Sequence, residues 1–133
     1  MTIHYGQFLV HPVIARLVKP KKTGGRSVRV YKVEEKGSDV NLATQLLLDG
    51  FRQDYEVAIV ISGDTDLVGP IRAVRTELNL EVGVFNPYQR SSKELQDAAS
   101  FYKPVDLTIL PRCQFPPTLV DADGRTIRKP ASW

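Results

Sequence analysis

The stretch Glu56-Val57-Ala58-Ile59-Val60-Ile61-Ser62-Gly63-Asp64-Thr65-Asp66 decides the fold. Its first half is a near-continuous apolar run without polar alternation, the pattern of a strand covered on both faces inside a parallel sheet. Gly63 ends the run, and Asp64-Thr65-Asp66 leads into a helix expected over residues 67–78, where Ile71, Val74 and Leu78 recur at helical spacing. Pro70 is compatible with that helix because it falls near the first turn, where a missing amide costs little.

Working outward, residues 27–35 predict a strand, with Val28, Val30, Tyr31 and Val33 supplying β propensity. Gly37 and Ser38 break it and open a helix over residues 39–53. Val40, Ala43, Leu46, Leu47 and Phe51 give that helix one apolar face, and Ser38 or Asp39 is available to cap its free amides. On the other side, residues 81–85 predict a short strand broken by Asn86-Pro87. Ser91 or Ser92 caps a helix reaching to about Tyr102, and residues 105–110 predict the last strand of the core. Residues 3–10 predict a strand stopped by Pro12, and residues 19–25 a loop broken by Pro20, Gly24 and Gly25.

Strands alternating with helices from residue 27 to residue 110 predict a parallel, right-handed α/β sheet. The tail differs in kind: Leu119-Val120, Asp121-Ala122-Asp123-Gly124 and Arg125-Thr126-Ile127 predict a hairpin around an Asp-Gly turn. Asp121 and Asp123 lack the further ligands and closing glutamate of a calcium loop. The expected organisation is therefore one α/β domain over residues 1–110 and a hairpin tail over residues 111–133.

The 133 residues are 42% hydrophobic and 25% charged, an ordinary globular balance. No stretch approaches the roughly 20 apolar residues of a membrane span, and the start lacks the layout of a signal peptide. The lone Cys113 excludes an internal disulfide and a multi-cysteine zinc site. These features predict a cytoplasmic protein with no membrane partner. The net charge of +3 is mild, but its distribution is uneven. Lys19, Lys21, Lys22, Arg26, Arg29 and Lys32 gather early, and Arg125, Arg128 and Lys129 gather late. Glu34, Glu35, Asp39, Asp64 and Asp66 lie between them. A basic rim around an acidic centre suits a polyanion held by its phosphates near a metal; a solvated surface with a basic loop is the commoner meaning of such a pattern.

Ligands of open parallel sheets sit beyond the carboxyl ends of the strands. Asp39 follows the strand over residues 27–35, and Asp64 and Asp66 follow the apolar run, so both strand–helix junctions are expected to bring acids to one sheet edge. Clustered carboxylates raise one another's pKa unless a cation neutralises them, and Mg2+ or Mn2+ are the hard, oxygen-seeking occupants for such a set. An aspartate at a helix start is more often a cap. One cap, however, needs one carboxylate, and Gly-Asp-Thr-Asp carries two.

Glu35-Lys36-Gly37-Ser38-Asp39-Val40-Asn41-Leu42-Ala43, followed by Val60-Ile61-Ser62-Gly63-Asp64-Thr65-Asp66-Leu67, resembles the NYN domain family, a branch of the PIN-like nucleases. That family's pattern is a Lys-Gly-x-Asp-Val helix start and, about one βα unit later, a Ser-Gly/Asn-Asp-Ser/Thr-Asp junction. Pro70-Ile71-Arg72, the strand ending in Asn86-Pro87 and the helix from Ser91 are similar too, so the resemblance covers roughly residues 3–110. It implies a Rossmann-like, three-layer PIN/NYN fold with a mainly parallel sheet, and an endoribonuclease dependent on Mg2+ or Mn2+ with RNA as partner. It makes Asp39, Asp64 and Asp66 metal ligands that activate the attacking water through the ion. Ser62 and Thr65 would hold the carboxylates or a phosphate, and Lys36, Asn86 and Arg90 would contact RNA. Each of these last three is equally compatible with a loop hydrogen bond or a solvated charge.

One departure stands out. The family's domain opens with a central strand ending in an aspartate, and no such segment precedes residues 3–10. An N-terminally truncated domain is therefore expected, in which the strand ending at Ser62 lacks a neighbour. Three readings stay open: a fragment, an edge completed by a homo-oligomer or partner chain, or an inactive module that holds RNA or protein without cutting. Other classes fit less well. A Toprim-like site would use Glu34 or Glu35 with Asp64 and Asp66 but leave Asp39 idle, and the haloacid-dehalogenase nucleophile motif is missing. Ser62 lacks a nucleophile elbow. His4 and His11 lie on or beside a strand, and Cys113 reads as structural.

Overall fold

The computed structural model describes residues 2–19, 24–88 and 90–131; Lys21 and Lys22 of the early basic cluster lie outside them. In chain order its elements are β1 (Gln7–Arg16), β2 (Ser27–Lys36), α1 (Ser38–Phe51), β3 (Val57–Ile61), a 3₁₀ turn (Thr65–Leu67) and α2 (Val68–Glu77). They continue with β4 (Glu81–Asn86), α3 (Lys93–Ala98), β5 (Phe101–Pro104), a second 3₁₀ segment (Leu107–Arg112), β6 (Thr118–Val120) and β7 (Thr126–Arg128).

The heart of the fold is a three-stranded parallel sheet in the order β3-β4-β5. Side chains alternate across a strand. The register Val60↔Val84 and Ala58↔Val82 therefore puts Ala58, Val60, Val82, Val84 and Asn86 on one face. That face meets Leu46 of α1, Leu67, Ile71 and Val74 along α2, and Leu95, Ala98 and Ala99 around α3, which together form the buried core. Burying such a side chain contributes on the order of 1.5–3 kcal/mol.

The described residues build a mixed α/β fold of two layers rather than the expected three. The strand order advances in a single direction, so right-handed crossovers deliver α2 and α3 to the same face. On the opposite face Val57, Ile59 and Ile61 are exposed, Ile61 at 66%. β3 is thus an edge strand among the described residues, not the doubly covered strand its apolar run predicts.

Three further expectations change. β2 does not join the parallel sheet; it pairs antiparallel with β1 in a separate ribbon, closed by Leu17 N–H donating to the Arg26 carbonyl at 2.9 Å. β1 also runs through Pro12 to Arg16 instead of stopping before it. A two-stranded ribbon has only edges, where a proline without an amide is tolerated. The last core strand is β5, not residues 105–110, and α3 ends at Ala98. The Asp106 carboxylate accepts hydrogen bonds from the Thr108 amide (2.9 Å) and hydroxyl (2.7 Å), which turns that segment into a 3₁₀ helix. The same bonds, hydroxyl first, hold the Asp106 carboxyl below its usual pKa.

In the tail β6 and β7 pair antiparallel, with Leu119 opposite Ile127. The Asp121 carboxylate accepts the Asp123 and Arg125 amides at 2.9 and 2.7 Å, so it is spent on the turn. No helix among the described residues is long and apolar enough to cross a membrane.

Candidate functional site

The start of α1 decides what Asp39 is free to do. Gly37 occupies the N-cap position at φ 100°, a left-handed conformation that glycine adopts without strain. Neither Ser38 nor Asp39 caps the helix as expected. Instead the Glu35 carboxylate reaches forward and accepts the Ser38 amide at 3.1 Å and the Ser38 hydroxyl at 2.7 Å. Asp39, in the first turn and exposed, is left out of the capping.

The second junction divides its labour differently. Asp64 is the cap: its Oδ1 accepts the Asp66 amide at 2.9 Å. The Ser62 hydroxyl oxygen accepts the Asp64 amide at 3.1 Å, which ties the turn to the end of β3. Asp66 gives its amide to the turn and keeps its carboxylate exposed. Thr65 is exposed beside it.

The two junctions share one field. Asp39 has its pKa raised, first by partial loss of hydration and then by the negative charges of Asp64, Glu35 and Asp66. Among the described residues no cation pairs with Asp39, Asp64 or Asp66; the ion pairs lie on the ribbon and the tail. The donors are therefore of the right kind for a hard divalent ion. Their arrangement is open: among the described residues no group of three or more His, Cys, Asp or Glu stands close enough to hold one ion jointly.

Beside the acids lies an open cleft of about 570 Å³, lined by Gly63, Thr65, Tyr88, Arg90, Ser91 and Lys93 among others. Asn86, 1% exposed, shapes its wall. Its Nδ2 donates to the Arg90 carbonyl at 3.0 Å and to the Tyr102 hydroxyl at 2.6 Å, and its Oδ1 accepts the Tyr88 amide at 2.8 Å. Asn86 thus acts through the loop it folds rather than by presenting its own amide. The Tyr88 ring packs so closely on Gly63 that a Cβ there would collide with it. Tyr88, which the sequence reading did not single out, lines this cleft just beyond the carboxyl end of a core strand. Lys36 is exposed on the ribbon, its Nζ 3.8 Å from Glu34.

A model of the NYN domain matches residues 9–107, which include both junctions and the cleft. The chain belongs to the NYN domain family. Membership suggests a nuclease-like function; domains of this kind are generally RNA-related, and PIN-like nucleases generally use divalent metals. The tail lies beyond the matched range. The chain is also 28% identical over 138 aligned positions to 6-hydroxy-3-succinoylpyridine 3-monooxygenase HspA of Pseudomonas putida. That alignment takes in 96% of this chain but 44% of the relative, so the chain spans under half of that protein's length. Among solved structures it is similar to a Vibrio parahaemolyticus protein of unknown function, at 19% identity and a TM-score of 0.49, covering 70% of this chain and 51% of that one.

Proposed function

We propose that this NYN domain is a metal-dependent endoribonuclease that hydrolyses RNA phosphodiester bonds with Mg2+ or Mn2+ held by Asp39, Asp64 and Asp66, which would have to draw together around the ion. The observation that carries the reading is the pair of carboxylates left out of capping: Asp39 and Asp66 are exposed, and among the described residues no cation pairs with either. When bound, a divalent ion supplies charge for the phosphoryl oxygens and lowers the pKa of the attacking water. The chain's own residues do the rest. Ser62 holds the Asp64 turn in place, Asp64 orients Asp66 through its amide, and the Thr65 hydroxyl is available to a phosphate. Arg90 and Lys93 lend the cleft positive charge for the flanking backbone. Lys36 offers one more phosphate contact from the ribbon.

Labelled RNA incubated with the protein in Mg2+, in Mn2+ or in chelator tests this directly. Metal-dependent cleavage that Asp64→Asn abolishes is the expected result; no cleavage, or equal cleavage by the variant, overturns it. A second reading, an NYN module that binds RNA or protein without cutting, is favoured by the open spacing of the acids. RNA binding with strong inverse salt dependence and no turnover would select it. Turnover of 6-hydroxy-3-succinoylpyridine would instead move the reading toward the reaction in the Pseudomonas relative's name. We also propose that a strand of a second copy or partner chain pairs with the free edge of β3.

A further inference from the structure

We propose that Tyr88 is a stacking platform for an unpaired RNA base next to the acids. The inference rests on the ribonuclease reading for its ligand and adds the residue that would hold the base. An exposed aromatic on a loop is ordinary by itself; its mounting here is not. One side of the ring lies on Gly63, the residue before Asp64, while the residue remains 65% exposed. The loop that carries it is fixed from below by Asn86, through the Tyr88 amide on one side and the Arg90 carbonyl on the other. A buried amide thus pins a solvent-facing ring beside the carboxylate turn.

The surroundings match a nucleotide. Arg90 and Lys93 line the same cleft and complement the phosphates on either side of a stacked base; Glu94 lines it too and offsets one of their two charges. Its volume, about 570 Å³, falls in the range of small-molecule clefts. The Ser92 hydroxyl accepts the Leu95 amide at 3.3 Å as the cap of α3, which leaves its O–H free to donate to a phosphate. A base reaches such a ring only when it is splayed out of a helix, whereas duplex RNA presents its backbone and shallow groove. Stacking also tolerates every base, so little sequence preference is expected at this position.

The test is fluorescence anisotropy in chelator, which prevents cleavage, with a single-stranded oligonucleotide of mixed sequence and a hairpin duplex of the same composition. Wild type should bind the single strand more tightly. Tyr88→Ala should weaken that binding roughly 5- to 150-fold, the span of base–aromatic stacking, while Tyr88→Phe keeps it and neither variant alters duplex binding. Arg90→Ala with Lys93→Ala should flatten the salt dependence for both RNAs. Equal single-strand affinity for Tyr88→Ala, equal loss in Tyr88→Phe, a preference for duplex, or no RNA binding at all overturns the proposal. Matching thermal melts of the variants show that folding is not the cause. The two readings separate cleanly: Tyr88-dependent binding without metal-dependent cleavage removes only the nuclease, and cleavage with Tyr88-independent binding removes only the platform.

Discussion

Replacing Asn86 by leucine keeps the side-chain size and removes every hydrogen bond that joins the core to the cleft loop. Three partners lose Asn86: the Tyr88 amide, the Arg90 carbonyl and the Tyr102 hydroxyl. A buried group left unpaired costs about 1–3 kcal/mol, against about 1 kcal/mol for a bond whose partner finds water. Tyr88 and Arg90 are exposed and can turn to water, whereas Tyr102 is half-buried against the core. Two small losses and one larger one give about 3–5 kcal/mol, and burial of the leucine methyls returns about 1. The net destabilisation is about 2–4 kcal/mol. For a domain of this size that lowers the Tm by roughly 6–16 °C. Thermal unfolding followed by circular dichroism reads the shift, and chelator-phase RNA anisotropy reads the loop. Asn86→Asp adds a sign. A buried carboxylate facing the Arg90 carbonyl has its pKa raised, so its penalty is greatest at neutral pH and fades as the pH falls and it protonates. A Tm within about 2 °C of wild type for Asn86→Leu, below the smallest shift the bond losses allow, would refute this account of the loop.

Asp39→Asn should stabilise the metal-free protein at pH 7. The folded-state pKa of Asp39 is raised, so its ionised form is disfavoured by folding above that pKa, and the penalty disappears as the pH falls toward its ordinary 3.8. Because the group is exposed and screened, the gain is at most about 0.5 kcal/mol; paired urea melts at pH 7 and at about pH 3, below both pKa values, should show it at the first pH only. Ile61→Lys, on the open face of β3, should leave the monomer's stability nearly unchanged and weaken any self-association detected by sedimentation, since a charge on an edge strand opposes strand addition. Unchanged association would place the contact elsewhere.

How far the sequence carried the fold can be judged element by element. The apolar run was read correctly as a strand, though not in its coverage, and the periodic face of α2 read correctly because Ile71 and Val74 recur at helical spacing. Residues 105–110 misread because Val105, Leu107, Ile109 and Leu110 alternate like a strand, while Asp106 offers the backbone a local hydrogen-bonded turn that propensity does not weigh. β2 misread because alternation of element types says nothing about which strand is its neighbour; the short connection to β1 decided that. At the two junctions, Asp64 and Asp66 do follow a strand of the parallel sheet as read, Asp39 follows a strand of the ribbon instead, and the capping duties were not legible. Nothing in Glu35-Lys36-Gly37-Ser38-Asp39 announces that Glu35 would reach over Gly37 to Ser38. Tyr88 was hidden for a related reason: its role depends on Asn86 beneath it and Gly63 beside it, contacts that cross from one βα junction to the next.

That division of labour is what gives the two motifs their meaning. A helix start has free amides and draws a side-chain acceptor to them. Glu35 supplies one for α1 and Asp64 supplies one for the turn before α2. Once those needs are met, the Asp39 and Asp66 carboxylates are surplus to capping, and lost hydration together with the charges of Asp64, Glu35 and Asp66 raises the Asp39 pKa. A cation near these acids would offset that repulsion. The neighbouring loop has the same logic in neutral form: a buried amide spends its hydrogen bonds presenting Tyr88 to solvent. The exposed acids and the exposed ring thus stand on adjacent turns, and each is positioned by hydrogen bonds from its neighbours, Asp64 for Asp66 and Asn86 for Tyr88.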